Sequence, residues 1–179
     1  VGTLDDIRAA KEAIGEAQRQ LESRGIPYDP KVRVGIMIEI PSIAIIADRA
    51  AQECDFASVG TNDLCQYLHA ADRMNPQTEA YYQSFSPAMF RTLKLIFEAF
   101  AAAGKPVSVC GELAGNPQAA PALAGLGLRK FSMNASAVAS VKRALSHFTL
   151  EQCRTIADQV CRQDTEADVK ALLSNPFPI

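Results

Sequence analysis

The chain has 179 residues, of which 48% are hydrophobic and 21% charged, with a net charge of −2. That balance fits one soluble domain with a sizeable core, and it argues against a basic nucleic-acid-binding surface. Five cysteines, an odd number without Cys-x-x-Cys spacing, argue against a disulfide or zinc framework. With no secretory or membrane-inserting segment read at Val1-Gly2-Thr3, the expectation is a cytoplasmic protein with free thiols.

Thr3 and Asp6 form a capping-box pattern, and Leu4, Ile7, Ile14, Ala17 and Leu21 recur at helical spacing until Gly25, so a helix comes first. Arg33 to Ile40 is an apolar run ending at Pro41, which predicts a buried parallel strand handing over to a helix from Ser42 to Glu53. A second strand, Phe56 to Gly60, opens into Thr61-Asn62-Asp63 and a short helical turn through Leu68. Asp72 to Ser86 is polar and predicts a long loop, a place where function tends to sit. Pro87 to Ala103 predicts a helix with Leu93, Ile96, Phe97 and Phe100 inward. Val107 to Cys110 is a third strand, and Asn116-Pro117 caps a helix through Leu126. Phe131 to Met133 is a fourth strand, followed by a helix from Ala137 to Leu145 and two more opened by Thr149 with Gln152 and Thr165 with Asp168. Strands alternating with helices predict a parallel α/β fold, whose chemistry lies at the C-terminal strand ends.

Glu39, Asn62, Asp63, Cys110 and Gly111 all fall at such ends. A lone acid after a strand is commonly a helix cap or a surface ion-pair partner. Two acids, Glu39 and Asp63, delivered by two parallel strands with no histidine near them in sequence, point instead to oxygen ligation of Mg²⁺ or Mn²⁺. Asn62 reads equally as an N-cap or as a phosphate-binding amide. Arg73, in the long loop on the same face, is solvated on the bland reading and a fork for phosphate or carboxylate on the functional one. Cys54, Cys65, Cys153 and Cys161 read as inert small hydrophobes, whereas Cys110 emerges on the face of the acids beside Gly111 and Gly115. Without a histidine placed to activate it, Cys110 is better suited to proton transfer than to nucleophilic attack. His69 reads as structural and His147 as a surface residue.

Gly35-Ile36-Met37-Ile38-Glu39-Ile40-Pro41, Gly60-Thr61-Asn62-Asp63-Leu64-Cys65-Gln66-Tyr67, Asp72-Arg73 and Cys110-Gly111-Glu112-Leu113-Ala114-Gly115 together resemble the signatures of the phosphoenolpyruvate-utilising enzymes, in that family's order. The likeness runs from about Lys31 to Asn175, and the Cys-Gly-Glu-Leu-Ala-Gly form looks more like the enzyme I branch of the bacterial phosphotransferase system than like pyruvate phosphate dikinase. The resemblance implies that residues 1–179 are a partial phosphoenolpyruvate-binding domain, the C-terminal half of a (β/α)₈ barrel with extra C-terminal helices. It implies Mg²⁺ at Glu39 and Asp63, the phosphate held by Asn62 and Arg73 with Gly111 beside the substrate, and Cys110 as proton donor to the enolate carbon. Met74 departs from the glycine frequent there in the family.

The resemblance further implies phosphoenolpyruvate and pyruvate as ligands and a phosphocarrier protein as partner through a histidine that neither His69 nor His147 matches. An isolated chain is therefore expected to be inactive. The exposed edges of a half barrel predict a homodimer. Two other readings share part of the signal: a metal-dependent aldolase acting on pyruvate enolate, and a non-enzymatic dimerisation module. The aldolase needs no thiol proton donor at the Cys110 strand.

Overall fold

In the computed structural model, which describes residues 1–175, four strands form one parallel sheet in the order β1-β2-β3-β4. They are β1 Gly35–Ile38, β2 Phe56–Gly60, β3 Val107–Cys110 and β4 Lys130–Phe131. The sheet is open, so the α/β half-barrel expectation holds, with β1 and β4 as its edges. Around it run α1 Leu4–Ser23, α2 Pro41–Ile45, α3 Ala47–Glu53, α4 Thr61–Leu68, α5 Pro87–Ala102, α6 Ala120–Gly125, α7 Ala135–Ser146, α8 Leu150–Arg162 and α9 Glu166–Ser174.

Register explains which side chains meet. Ile38 is level with Val59, Val59 with Val109, and Val109 with Phe131. Side chains alternate across a strand, so Ile36, Ile38, Ala57, Val59 and Val109 share one face. All five are buried in one core with Phe90, Leu93, Ile96, Phe97 and Phe100 of α5. The opposite face carries Met37, Phe56, Ser58, Ser108 and Cys110. It is uncovered enough that Met37 and Phe56 are 38% and 37% exposed. The capping boxes at Thr3, Thr149 and Thr165 all form as the sequence predicts.

Several boundaries differ from expectation. Strand β1 is shorter than Arg33 to Ile40, because Arg33 and Val34 pair instead with Asp55 through Arg33 Nη2 to Asp55 O and Val34 N–H to Asp55 Oδ2. The expected Ser42 to Glu53 helix is interrupted at Ile46, which takes φ −104° and ψ 30° between α2 and α3. Strand β4 ends at Phe131, not Met133; Ser132 adds one further bond, its N–H to Val109 O at 2.8 Å, before the chain turns to α7, which starts at Ala135. Asn116 forms a turn, its Oδ1 accepting from Gln118 N–H and Ala119 N–H, so α6 begins only at Ala120. Along α1 only Ile7 is buried, and Leu4, Ile14 and Leu21 of its apolar stripe stay partly exposed.

Candidate active site

The site is assembled at the C-terminal ends of β1, β2 and β3. Glu39 follows β1, and its carboxylate folds over the end of β2: a Cβ on Gly60 would lie 3.0 Å from Glu39 Oε2 and 3.3 Å from its Cβ. Any larger residue would crowd the Glu39 side chain and force it to shift. Gly60, which lies beside Glu39, leads directly into α4, whose first turn carries Thr61, Asn62 and Asp63. The helix N-terminus turns its free N–H groups and positive dipole end toward the same place, which favours anions there.

Cys110 ends β3 on the uncovered face. Its Sγ accepts from Ser58 Oγ at 3.5 Å, lies 3.4 Å from the Val59 carbonyl and is 3.9 Å from Met37 Sδ. Thr61, 2% exposed, donates from Oγ1 to the Cys110 carbonyl at 2.8 Å and fixes the strand end against α4. Gly111 then turns with φ +100°, and a Cβ there would sit 2.5 Å from Thr61 Oγ1 and 2.9 Å from Asn62 Oδ1. Both its conformation and its close approach to Asn62 require glycine.

Asn62 is not the N-cap of α4; Gly60 holds that position. Its Oδ1 instead accepts from Glu112 N–H at 3.1 Å, across to the loop after β3. With the oxygen taken, the amide N–H₂ is the end left to donate to a ligand. Arg73 reaches back from the long loop to lie 4.0 Å from Asp63, Nη2 to Oδ1, with both side chains well exposed at 39% and 44%. At that distance and exposure the pair is weak, which leaves the guanidinium able to take an incoming anion. An open cleft of about 600 Å³ has Asn62, Cys110, Gly111, Glu112, Ser132 and Asn134 in its walls; Glu39, Asp63 and Arg73 do not line it.

The donor set at Glu39 and Asp63 is oxygen only. Among the described residues no group of three or more His, Cys, Asp or Glu side chains converges as a metal shell. Two carboxylates beside an anion-favouring helix end fit Mg²⁺ or Mn²⁺, which keeps waters and shares its shell with substrate oxygens; they do not fit a closed zinc site.

Structure and sequence agree on His69 and His147. His69 is spent on the fold: Nδ1–H donates to Cys65 O at 2.9 Å, and Nε2 meets Ser86 Oγ, the cap of α5, at 2.8 Å. His147 is exposed at the end of α7. The groups that sequence reading passed over are Ser58, Thr61 and Tyr82. Thr61 lies within the Gly-Thr-Asn-Asp string itself, and the aromatic pair Tyr81-Tyr82 in an otherwise polar stretch is a signal for Tyr82. Ser58 carries no such signal, since its contact depends on the register of β2 with β3.

A phosphoenolpyruvate-protein phosphotransferase of Enterococcus faecalis is 40% identical over 174 residues, 97% of this chain and 30% of its own length. One from Bacillus subtilis is 38% identical over 177 residues, covering 99% of this chain and 31% of the relative. Multiphosphoryl transfer protein 2 of Escherichia coli is 37% identical over 174 residues, 97% of this chain and 21% of the relative. The chain thus spans about three tenths or less of these relatives. The profile described as "PEP-utilising enzyme, PEP-binding domain" matches residues 1–150, so the likeness begins ahead of Lys31 and takes in α1. The chain belongs to the phosphoenolpyruvate-utilising enzymes, within their phosphoenolpyruvate-binding domain.

Proposed function

We propose that this chain supplies the cation-binding and proton-donating part of a phosphoenolpyruvate site that serves phosphoryl transfer to a protein histidine in a phosphotransferase system, for sugar uptake or its nitrogen-linked branch. The observation that carries the reading is that Cys110 Sγ emerges on the sheet face of Met37 and Ser58, while Gly111 packs on Asn62 and Glu39 folds over Gly60. A proton donor, an amide, an arginine and two carboxylates thereby share one end of the sheet.

In this reading Glu39 and Asp63 hold Mg²⁺ or Mn²⁺, which would supply charge neutralisation for phosphate and enolate oxygens. Arg73 and the Asn62 amide grip the phosphate, and the backbone at Gly111 lies close to the substrate. The P–O bond of phosphoenolpyruvate breaks, the phosphoryl group passes to a histidine nitrogen outside this chain, and the electron pair stays on the enolate oxygen of pyruvate. Cys110 S–H then protonates C3 to give pyruvate, and the thiolate regains its proton from water. Arg73 and the α4 N-terminus favour the charge that develops in this step.

The partner of the complete enzyme is a phosphocarrier protein, and the setting is cytoplasmic. The described residues contain no helix long and apolar enough to cross a membrane. Calorimetric titration with phosphoenolpyruvate and Mg²⁺ tests the site. Wild type should bind saturably and Asp63→Ala at least about tenfold more weakly, since one of two metal carboxylates is lost; equal binding by the two proteins, or none by wild type, rejects the reading. The homodimer belongs to the same proposal, and a strictly monomeric species by light scattering at micromolar concentration counts against it.

A further inference from the structure

Tyr81 and Tyr82 are neighbours with opposite fates. Tyr81 is 66% exposed, whereas Tyr82 packs partly buried against the core. The loop around them is shaped by its own turns: Met74 N–H to Asp72 Oδ1, Thr78 Oγ1 to Asp72 O, and Gln77 N–H to Asn75 Oδ1. Such local bonds give a loop its form and do not place it on the rest of the molecule. Two side-chain bonds place it against α4. Arg73 N–H donates to Gln66 Oε1 at 3.3 Å, and Tyr82 OH donates to the Asn62 carbonyl at 3.2 Å. The Tyr82 phenol also lies close enough to the Arg73 guanidinium and to Glu112 to feel the charge of each. One hydroxyl therefore lies among Asn62, Arg73 and the loop after β3.

We propose that Tyr82 is a positioning residue that locks the Arg73 loop onto the first turn of α4, so that Arg73 and Asn62 address one phosphate group together. The proposal rests on the reading above of Arg73 and Asn62 as phosphate ligands. A buried tyrosine commonly finds some acceptor for its hydroxyl. Here the acceptor belongs to one proposed phosphate ligand, and the loop that the bond holds down carries the other. The Asn62 carbonyl lies in the first turn of α4, where helical pairing also uses it. Removing the hydroxyl therefore orphans no acceptor, and Tyr82→Phe should fold.

Calorimetry on wild type, Tyr82→Phe, Arg73→Gln and the double variant, each with Mg²⁺ and either phosphoenolpyruvate or the phosphate-free enolate mimic oxalate, separates positioning from general loosening. Tyr82→Phe should weaken phosphoenolpyruvate about fivefold to tenfold, the worth of one hydrogen bond, and leave oxalate unchanged. The double variant should be no weaker than Arg73→Gln alone, because a residue that acts by positioning Arg73 has nothing left to position once the guanidinium is gone. Unchanged phosphoenolpyruvate affinity in Tyr82→Phe, or equal loss for both ligands, overturns the proposal.

A second measurement needs no ligand. Burial first of all pushes the Tyr82 phenol up, the charge of Glu112 adds to it, and Arg73 opposes them. In ¹³C-tyrosine NMR, with Tyr82→Phe assigning the signal, Arg73→Gln should move the Tyr82 titration to higher pH. No movement overturns the tie between the two residues. Movement without phosphoenolpyruvate binding by wild type keeps the tie and rejects the phosphate role.

Discussion

Burial sorts the five cysteines as the sequence predicts for most of them. Cys54, Cys65 and Cys153 are buried, Cys161 is half-buried, and desolvation first of all pushes each of these four thiols up. Cys65, fully buried, is pushed to about 12. A thiol raised in the folded state stays neutral while the unfolded chain ionises. Its contribution to stability is complete below the ordinary thiol value of 9.0 and is lost as pH rises toward about 12. Urea unfolding followed between these limits should show wild type losing stability more steeply than Cys65→Ala, by about 1–3 kcal/mol over the window. Parallel pH profiles would show that the Cys65 thiol is not held neutral. At this scale the sequence displays Glu39, Asp63 and Cys110 because each stands at a strand end or within three residues past one. It does not display that Asn62 Oδ1 is taken by Glu112 or that Tyr82 reaches Asn62, since those bonds join residues 50 and 20 positions apart.

Helices and strands are legible where local pattern decides them and blurred where it does not. The apolar stripe of Ile43, Ala44, Ala47, Ala50 and Ala51 keeps helical spacing straight through the interruption at Ile46, which is why periodicity conceals it. Strand β4, an edge of two residues bonded on one side to β3, has too little pattern to fix its ends. The tight approach of α6 to α8 is also invisible in sequence. It depends on Gly125, where a Cβ would fall 1.9 Å from the Cys153 carbonyl oxygen and 2.9 Å from Ala157 Cβ. The first of these is backbone and cannot swing aside. Gly125→Ala must push the two helices apart and loosen the core around Leu123 and Ile156, at a cost of about 2–4 kcal/mol. Equilibrium denaturation measures this directly, and a change below about 0.5 kcal/mol, as for an ordinary surface site, would contradict the packing.

The whole molecule sets the limit on what the site can do. A closed barrel of this kind has eight strands and brings groups from several strand ends to one mouth. Here four strands stop at two open edges, and the face bearing Cys110 is left with Met37 and Phe56 partly exposed. Charges facing open water act through a high dielectric and are screened by salt, so Arg73 and the carboxylates are worth far less here than in an enclosed site. His69 is committed to Cys65 and Ser86, and His147 sits at the far end of α7, so neither is placed to accept a phosphoryl group beside Cys110. The purified chain, incubated with phosphoenolpyruvate, Mg²⁺ and a phosphocarrier protein, should therefore leave the carrier's histidine unmodified by intact mass, even at concentrations where phosphoenolpyruvate binds. Phosphorylated carrier in that mixture would mean that four strands suffice for transfer, and that the arginine and the thiol do not need the enclosure argued for them.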